Sequence, residues 1–278
     1  MRNPTAINDS NILNDIKNYN NIIPTNITQD FLLKYFLWIT SSKNNKIIGL
    51  EKFPFLTYIN GTTQAFESFL IKHNNKRIRC FPGEFMFHKM LSRNANINFK
   101  YITNESPLQK NDAFIISLPF SDTGNIHSKH EESLKFCEIN NIPVLIDCAY
   151  FGVCANIEIN LNFSCIEVIT FSLSKTFPVE YLRIGIRFTK QDDDDAIDVY
   201  NKLGITNKLS ASIGLMLIKN YSVDYNFNTY RNKQITICNS MRLQPSNCVI
   251  FGLGNDEYKE YNRGNKLNRV CLSKKYTT

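Results

Sequence analysis

The residues best suited to chemistry in this sequence lie in the segment Phe171-Ser172-Leu173-Ser174-Lys175. The apolar residues from Ile166 to Phe171 predict a buried strand, and Lys175 follows shortly after that strand ends. Ligands of α/β sheets bind beyond the carboxyl ends of the strands, where burial lowers the pKa of an amine and allows it to act as a nucleophile. Lys175 therefore has the setting required of a lysine that forms a Schiff base.

Two side chains near Lys175 are suited to a phosphate group. Ser172 stands three residues before the lysine and Arg183 eight residues after it. The hydroxyl supplies a neutral hydrogen bond and the guanidinium a fixed positive fork, and a phosphate dianion accepts both. Taken alone, the motif Ser-x-Ser-Lys is equally compatible with a surface lysine among loop serines.

A second apolar stretch, Val144-Leu145-Ile146, leads into Asp147 and, three residues later, Tyr150. A carboxylate buried at the end of a strand is costly unless it meets a cation, and a protonated pyridine nitrogen is such a cation. An amine, a phosphate clamp and a buried carboxylate together specify pyridoxal phosphate as the cofactor.

The order of these motifs resembles the fold type I pyridoxal-phosphate enzymes, the aspartate aminotransferase superfamily, and in particular its class I/II aminotransferases. The motifs are Asp147-x-x-Tyr150, Ser172-x-Ser174-Lys175 and Arg183-x-Gly185. With one further match near Arg269, the likeness covers roughly half to two thirds of the chain. It implies a shortened member with a three-layer α/β/α fold, a mainly parallel sheet and an abbreviated C-terminal α+β small domain.

The segment after the predicted strand at residues 56–59 is Gly61-Thr62-Thr63, and a helical pattern follows it. A turn of this kind presents free backbone N–H groups to an anion at a helix start, although an ordinary βα turn has the same sequence pattern. In the family the matching loop contacts the cofactor phosphate, which implies this role for Gly61, Thr62 and Thr63.

The family also places an aromatic ring against the pyridine of the cofactor. The matching segment here implies Phe85, with Phe87 as the next choice, and ordinary core packing is equally compatible with either ring. Where the family has Asn-Pro-Thr-Gly, this sequence has Ser121-Asp122-Thr123-Gly124. A hydrogen bond to the phenolate oxygen O3′ is therefore made by Ser121 or lost, which leaves Tyr150 as the main donor.

The segment from Asn268 to Ser273 resembles the family segment whose arginine binds the α-carboxylate of the substrate. This implies that Arg269 binds the substrate, because a buried arginine needs an anion and a carboxylate fits its fork. Arg263 and Arg242 are competing candidates.

The resemblance implies an aminotransferase of amino acid metabolism or biosynthesis, acting on an amino acid and a 2-oxo acid through a Schiff base on Lys175. Asp147 would keep the ring nitrogen protonated and Tyr150 would donate to O3′, while Ser172, Ser174 and Arg183 contribute to cofactor binding. Two alternatives stay open: a decarboxylase or lyase of the same fold, and a shortened, non-catalytic relative that serves as a binding subunit.

Chain length, net charge and cysteine content indicate the size, the partners and the location to expect for this protein. At 278 residues and 43% hydrophobic content the chain is long enough for a single domain or for one large domain and one small domain. The net charge of +7 comes from scattered Lys and Arg without a basic stripe, so nucleic acid is not expected as a partner. Eight cysteines without a Cys-x-x-Cys pair predict reduced, buried thiols in a cytoplasmic protein, and no metal site or membrane segment is expected.

The elements that position these residues alternate between strand and helix, which predicts a parallel sheet. We predict an N-terminal arm and helix at residues 1–45, a cofactor-binding large domain at 46–205 and a small domain at 206–278. The run Asp192 to Asp195 is interpreted as the solvated start of a helix and not as a metal site. The resemblance also implies a homodimer, although the shortened N-terminal arm leaves a site shared between subunits in doubt.

Overall fold

A computed structural model of the chain describes residues 3–20 and 22–276. Residues 1, 2, 21, 277 and 278, which belong to the predicted arm and small domain, lie outside this description. Among the described residues eight α-helices form: α1 (Ser10–Lys17), α2 (Ile27–Thr40), α3 (Thr62–Lys72), α4 (Phe87–Asn94), α5 (His130–Ile139), α6 (Ala196–Lys202), α7 (Lys208–Asn220) and α8 (Tyr225–Ser240).

The strands of the described residues alternate with these helices over most of the chain. They are β1 (Lys46–Ile48), β2 (Phe55–Asn60), β3 (Arg77–Cys80), β4 (Phe99–Tyr101), β5 (Asp112–Ser117), β6 (Val144–Asp147), β7 (Glu158–Asn160), β8 (Ile166–Ser172), β9 (Ile184–Thr189), β10 (Gln244–Pro245), β11 (Phe251–Gly254) and β12 (Asn268–Cys271). Short 3₁₀ turns occur at Leu50–Lys52, Phe151–Val153, Asp256–Tyr261 and Ser273–Lys275.

Seven strands form the central sheet in the order β2-β9-β8-β6-β5-β3-β4. Within this sheet only β9 runs antiparallel to its neighbours. Outside it, β1 pairs with β7, and β10, β11 and β12 form a small antiparallel sheet. The mainly parallel sheet confirms the predicted fold class.

Alternate residues of the central strands serve two separate hydrophobic cores, one on each face of the sheet. Ile115 packs with Phe66 and Phe69 of α3, whereas Phe114 and Ile116 belong to the core that includes α2. Both faces are buried, which explains why β5, β6 and β8 read as nearly continuous apolar runs. The sheet therefore lies between helical layers, as a three-layer α/β/α fold requires.

Two helices have no clear signal in the sequence. Within the predicted N-terminal arm, α1 forms because Asp9 accepts hydrogen bonds from the backbone N–H groups of Asn11 and Ile12. Within the predicted small domain, the 16-residue helix α8 forms despite an Asn- and Thr-rich sequence of low helix propensity. Its buried Gln234 donates to three backbone carbonyl oxygens near β11, so tertiary contacts stabilise it.

The acidic run Asp192 to Asp195 serves the start of α6, as predicted. The Asp195 side chain accepts a hydrogen bond from the N–H of Asp198. The carboxylates of Asp195 and Asp198 both pair with the buried guanidinium of Arg187, at 2.5 and 2.6 Å. The run therefore combines a helix cap with a buried ion pair.

Candidate active site

A single edge of the central sheet carries several of the predicted site residues. β2, β6 and β8 run parallel to one another, so their carboxyl ends meet at the same edge. Gly61 follows β2, Asp147 ends β6 and Lys175 follows β8. A cavity of about 820 Å³ opens there, within the range of small-molecule sites. Its walls include most of the predicted residues: Thr62, Thr63, Phe85, Ser121, Asp147, Tyr150, Ser172, Ser174, Lys175, Arg183 and Arg269.

One end of the cavity is formed by the start of α3. Gly61 precedes this helix with φ of +76°, and no side chain caps the helix start. The Arg183 guanidinium lies against Gly61 and donates a hydrogen bond from Nη2 to Thr63 Oγ1 at 3.0 Å. A Cβ atom at Gly61 would collide with Nη2 of that arginine, so the close approach needs glycine. The result is a positively charged pocket lined by backbone N–H groups.

The two serines of the Ser-x-Ser-Lys motif lie beside this pocket. Ser172 Oγ lies 3.0 Å from Ser174 Oγ and 3.2 Å from the carbonyl oxygen of Ile184. It also accepts a hydrogen bond from the Ser174 N–H. These bonds fix both hydroxyl groups at the edge of the cavity.

Lys175 lies in the loop between β8 and β9, which also carries Arg183. Its Nζ donates to the carbonyl oxygen of Pro4 at 2.7 Å, so the N-terminal segment reaches the cavity. Burial lowers the pKa of Lys175, and the nearby positive charges of Arg269 and Arg183 act in the same direction, while Glu180 opposes them. This is the direction that a nucleophilic amine requires.

Asp147 is a buried carboxyl group on the cavity wall. Both hydrogen bonds that it accepts end on Oδ1, from the Ala149 N–H at 3.1 Å and from Thr170 Oγ1 at 3.3 Å. Burial raises its pKa to about 7, and Lys175 lowers it only weakly. An approaching cation would therefore be stabilised by this group.

Tyr150 and Phe85 are the aromatic site residues predicted from the sequence, and both line the cavity. Tyr150 contacts Phe251 edge-on, and burial raises the pKa of its hydroxyl to about 12, so it stays a donor at neutral pH. The Phe85 ring is 44% exposed and stacks on Phe87 at an angle of 17°. Phe87, the next choice for the stacking ring, lines the same cavity as Phe85.

Arg269 lies on β12 and lines the cavity, and its guanidinium lies over the Phe251 ring at 4.7 Å. It donates to the carbonyl oxygen of Ser121 at 2.5 Å. Arg263, one of the competing candidates, lines the same cavity and donates to that same oxygen at 3.1 Å. Arg242, the other competitor, is an exposed residue whose side chain faces Glu257 and is no part of the lining.

Glu84 is a buried acid beside the site that the sequence analysis overlooked. It accepts hydrogen bonds from the Ser117 N–H at 2.8 Å and the Ser117 hydroxyl at 2.5 Å. Burial raises its pKa to about 7, and the charge of Asp147 adds to the shift. In the sequence Glu84 stands between Pro82-Gly83 and an aromatic run. Because glutamate side chains are rarely buried, this position gave no reason to expect a buried acid.

The described residues contain no group of three His, Cys, Asp or Glu side chains placed to hold a metal ion. Within the same ranges no helix is long and apolar enough to cross a membrane. All eight cysteines are buried, as predicted.

Comparison with solved structures identifies the architecture. An aminotransferase from Staphylococcus aureus superposes with a TM-score of 0.68 at 12% identity, over 98% of this chain and 86% of that one. The histidinol-phosphate aminotransferase from Clostridium acetobutylicum superposes with a TM-score of 0.60 at 17% identity, over 90% and 80% of the two chains. This protein has the fold of the fold type I aminotransferases.

The same fold also carries other chemistry. The PLP-bound C-S lyase from Staphylococcus hominis superposes with a TM-score of 0.59 at 12% identity, over 90% of this chain and 73% of that one. No protein-family model matches the sequence, and no curated protein matches it either. The likeness is therefore one of fold, and the reaction has to be argued from the site.

Proposed function

We propose that the protein is a pyridoxal-phosphate-dependent enzyme of the aminotransferase type, acting on an amino acid through Lys175. The observation that carries the proposal is the meeting of Lys175, Asp147, Tyr150 and Arg183 in one cavity. The first and last lie in the β8–β9 loop, and the other two lie at or just after the end of β6. Each contributes one part of a binding site for this cofactor: an amine, a carboxylate, a phenol and an anion clamp.

The residues present fit the cofactor. The pocket of Gly61, Thr63 and Arg183 suits a phosphate dianion, because a guanidinium and an uncapped helix start both face it. Asp147 accepts hydrogen bonds from the described residues on Oδ1 alone, so Oδ2 is left to accept one from a protonated ring nitrogen. A buried carboxyl group with a raised pKa gains most from such a partner.

Pyridoxal phosphate, when bound, supplies an electron sink that stabilises negative charge at the Cα atom of an amino acid. Asp147 would keep the ring nitrogen protonated, and Tyr150 would donate to the phenolate oxygen. Burial lowers the pKa of Lys175, which favours a neutral amine that would accept the proton from Cα and return it elsewhere. Arg269 would hold the α-carboxylate and so orient the Cα–H bond.

Absorption spectroscopy tests this function. The protein loaded with cofactor should absorb near the visible, and an amino acid should convert that band to the band of the aminated cofactor while a 2-oxo acid accumulates. Adding a second 2-oxo acid should restore the original band. Release of carbon dioxide, or of ammonia with a thiol, would instead favour the decarboxylase or the lyase, for which the C-S lyase neighbour is a precedent. Failure to bind cofactor at all would favour the non-catalytic relative.

A further inference from the structure

The carbonyl oxygen of Ser121 accepts hydrogen bonds from two arginines. Nη1 of Arg269 lies 2.5 Å from this oxygen and Nη1 of Arg263 lies 3.1 Å from it. The two guanidinium groups are therefore neighbours in one cavity, and the charge of Arg269 lowers the pKa of Arg263. Like charges this close cost free energy unless an anion joins them.

The support under the two arginines is a connected set of hydrogen bonds. Arg263 Nη2 donates to the carbonyl oxygen of Glu84 at 2.9 Å, and the Glu84 carboxyl group is held by Ser117. The Ser117 hydroxyl in turn accepts from the N–H of Ser121 at 2.8 Å. The hydrogen bond to Ser117 thus fixes the position of Ser121 and of its carbonyl oxygen. Both guanidinium groups are therefore held in place before any ligand binds.

One buried acid lies beside the pair of arginines. Asp122 Oδ1 is fully buried 3.9 Å from Arg263 and accepts no hydrogen bond among the described residues. The charge of Asp122 raises the pKa of Arg263, whereas the charge of Arg269 lowers it. A carboxylate placed between the two guanidinium groups would offset the repulsion between them.

We propose that Arg263 is a second substrate-binding arginine, which together with Arg269 binds one carboxylate group of the substrate. This proposal rests on the proposed amino-acid substrate. Arg263 and Arg269 are then not alternatives, because both bind the same carboxylate. Asp122 is a positioning residue, because its carboxylate lies 3.9 Å from the Arg263 guanidinium.

Propionate is a suitable probe, because it carries one carboxylate and no amine. Its affinity for the 278-residue chain, with and without cofactor, is measured from the line width of its NMR signals at fixed ionic strength. Arg263→Gln and Arg269→Gln should each weaken binding about tenfold or more, as expected for the loss of a charge-assisted hydrogen bond. Arg242→Gln is the matched control and should bind propionate as the wild type does, because Arg242 is exposed and outside the cavity.

A further variant distinguishes a specific effect on binding from a general loss of folding, because it should bind more tightly. Asp122→Asn keeps the shape of the side chain but removes the charge that offsets Arg263, so it should strengthen propionate binding by about threefold or more. A merely structural role for Asp122 predicts weaker binding.

Normal propionate affinity in Arg263→Gln would overturn the proposal. So would a large preference of the wild type for succinate over propionate that disappears in Arg263→Gln, since the arginines would then bind separate anions. Because the cofactor-free protein is also measured, a failure of the proposed catalytic function would not produce either result.

Discussion

At the scale of single residues, burial sets the protonation of the groups that carry the proposed chemistry. It raises the pKa of Asp147 to about 7 and lowers that of Lys175, so both groups lie closer to neutral pH than in water. Perturbed pairs of this kind, facing one cavity, are typical of catalytic sites. Two variants test the roles of the charged residues separately.

Asp147→Asn should retain cofactor but lose nearly all turnover. A neutral amide does not stabilise a protonated ring nitrogen, so the effect falls on the chemical step more than on binding. Cofactor affinity is measured by equilibrium dialysis and turnover by formation of the 2-oxo acid. Normal turnover in this variant would show that Asp147 does not face the ring nitrogen.

Arg269→Lys should raise KM for amino acids about tenfold or more, because a point charge replaces a bidentate pair worth about 1.5–3 kcal/mol. The decarboxylated amine of the same substrate should react equally well with variant and wild type. The measurement is the ratio of the two half-reaction rates, with Arg242→Lys as control. An unchanged ratio would remove Arg269 from carboxylate binding.

Most of the site residues predicted from the sequence line the cavity, because strand ends are visible as apolar runs followed by polar side chains. Lys175, Asp147 and Arg183 could be placed at one sheet edge on that basis. Glu84 and the pairing of Arg263 with Arg269 could not, since they depend on contacts between segments far apart in the chain. Hydrogen bonds to a shared backbone oxygen leave no pattern in a sequence.

At the scale of elements, the β2–α3 turn determines how closely the chain approaches Arg183. Gly61→Ala should weaken cofactor binding about tenfold or more, because the new methyl group displaces the guanidinium from the phosphate pocket. Cofactor affinity is measured by fluorescence titration.

Gly204→Ala is the control for this change. Gly204 also has a positive φ, of +68°, but a Cβ atom there would meet nothing within 4 Å. Both variants place a side chain at a positive φ, but only Gly61→Ala puts a methyl group against the Arg183 guanidinium, so only this variant should lose affinity. Equal affinities in both variants would show that the turn does not bind the phosphate.

The two helices that the sequence did not predict, α1 and α8, lie against each other through Asp9. Its carboxylate accepts hydrogen bonds from the hydroxyl groups of Tyr225 and Tyr230 at 2.9 and 2.6 Å. Helices stabilised by such long-range contacts lack the strong periodicity that sequence analysis relies on. The same contacts direct the N-terminal segment towards Lys175, where Pro4 lies.

At the scale of the whole molecule, two buried acids make the stability of the cofactor-free protein depend on pH. The pKa values of Asp147 and Glu84 are both raised to about 7, from 3.8 and 4.5. A carboxyl group whose pKa is raised by folding contributes most to stability at a pH below the pKa it has in the unfolded chain. This contribution is lost as pH rises through the pKa of the folded protein.

Without cofactor, Asp147→Asn should therefore become more stable relative to the wild type as pH rises from about 4 to about 7, and the difference should then level off. Thermal unfolding followed by circular dichroism across this range gives the difference in Tm. A difference that is constant with pH, or that falls, would mean that Asp147 is not buried as a neutral acid.

The central claim of this account is that Lys175 forms the covalent link to the cofactor, and chemical trapping tests it most directly. The protein is loaded with pyridoxal phosphate, reduced with borohydride, digested and mapped by peptide mass spectrometry. The account predicts a single labelled peptide that carries the modification on Lys175, and no label at that position in Lys175→Arg. A label on another lysine, or none after cofactor is added, would contradict it.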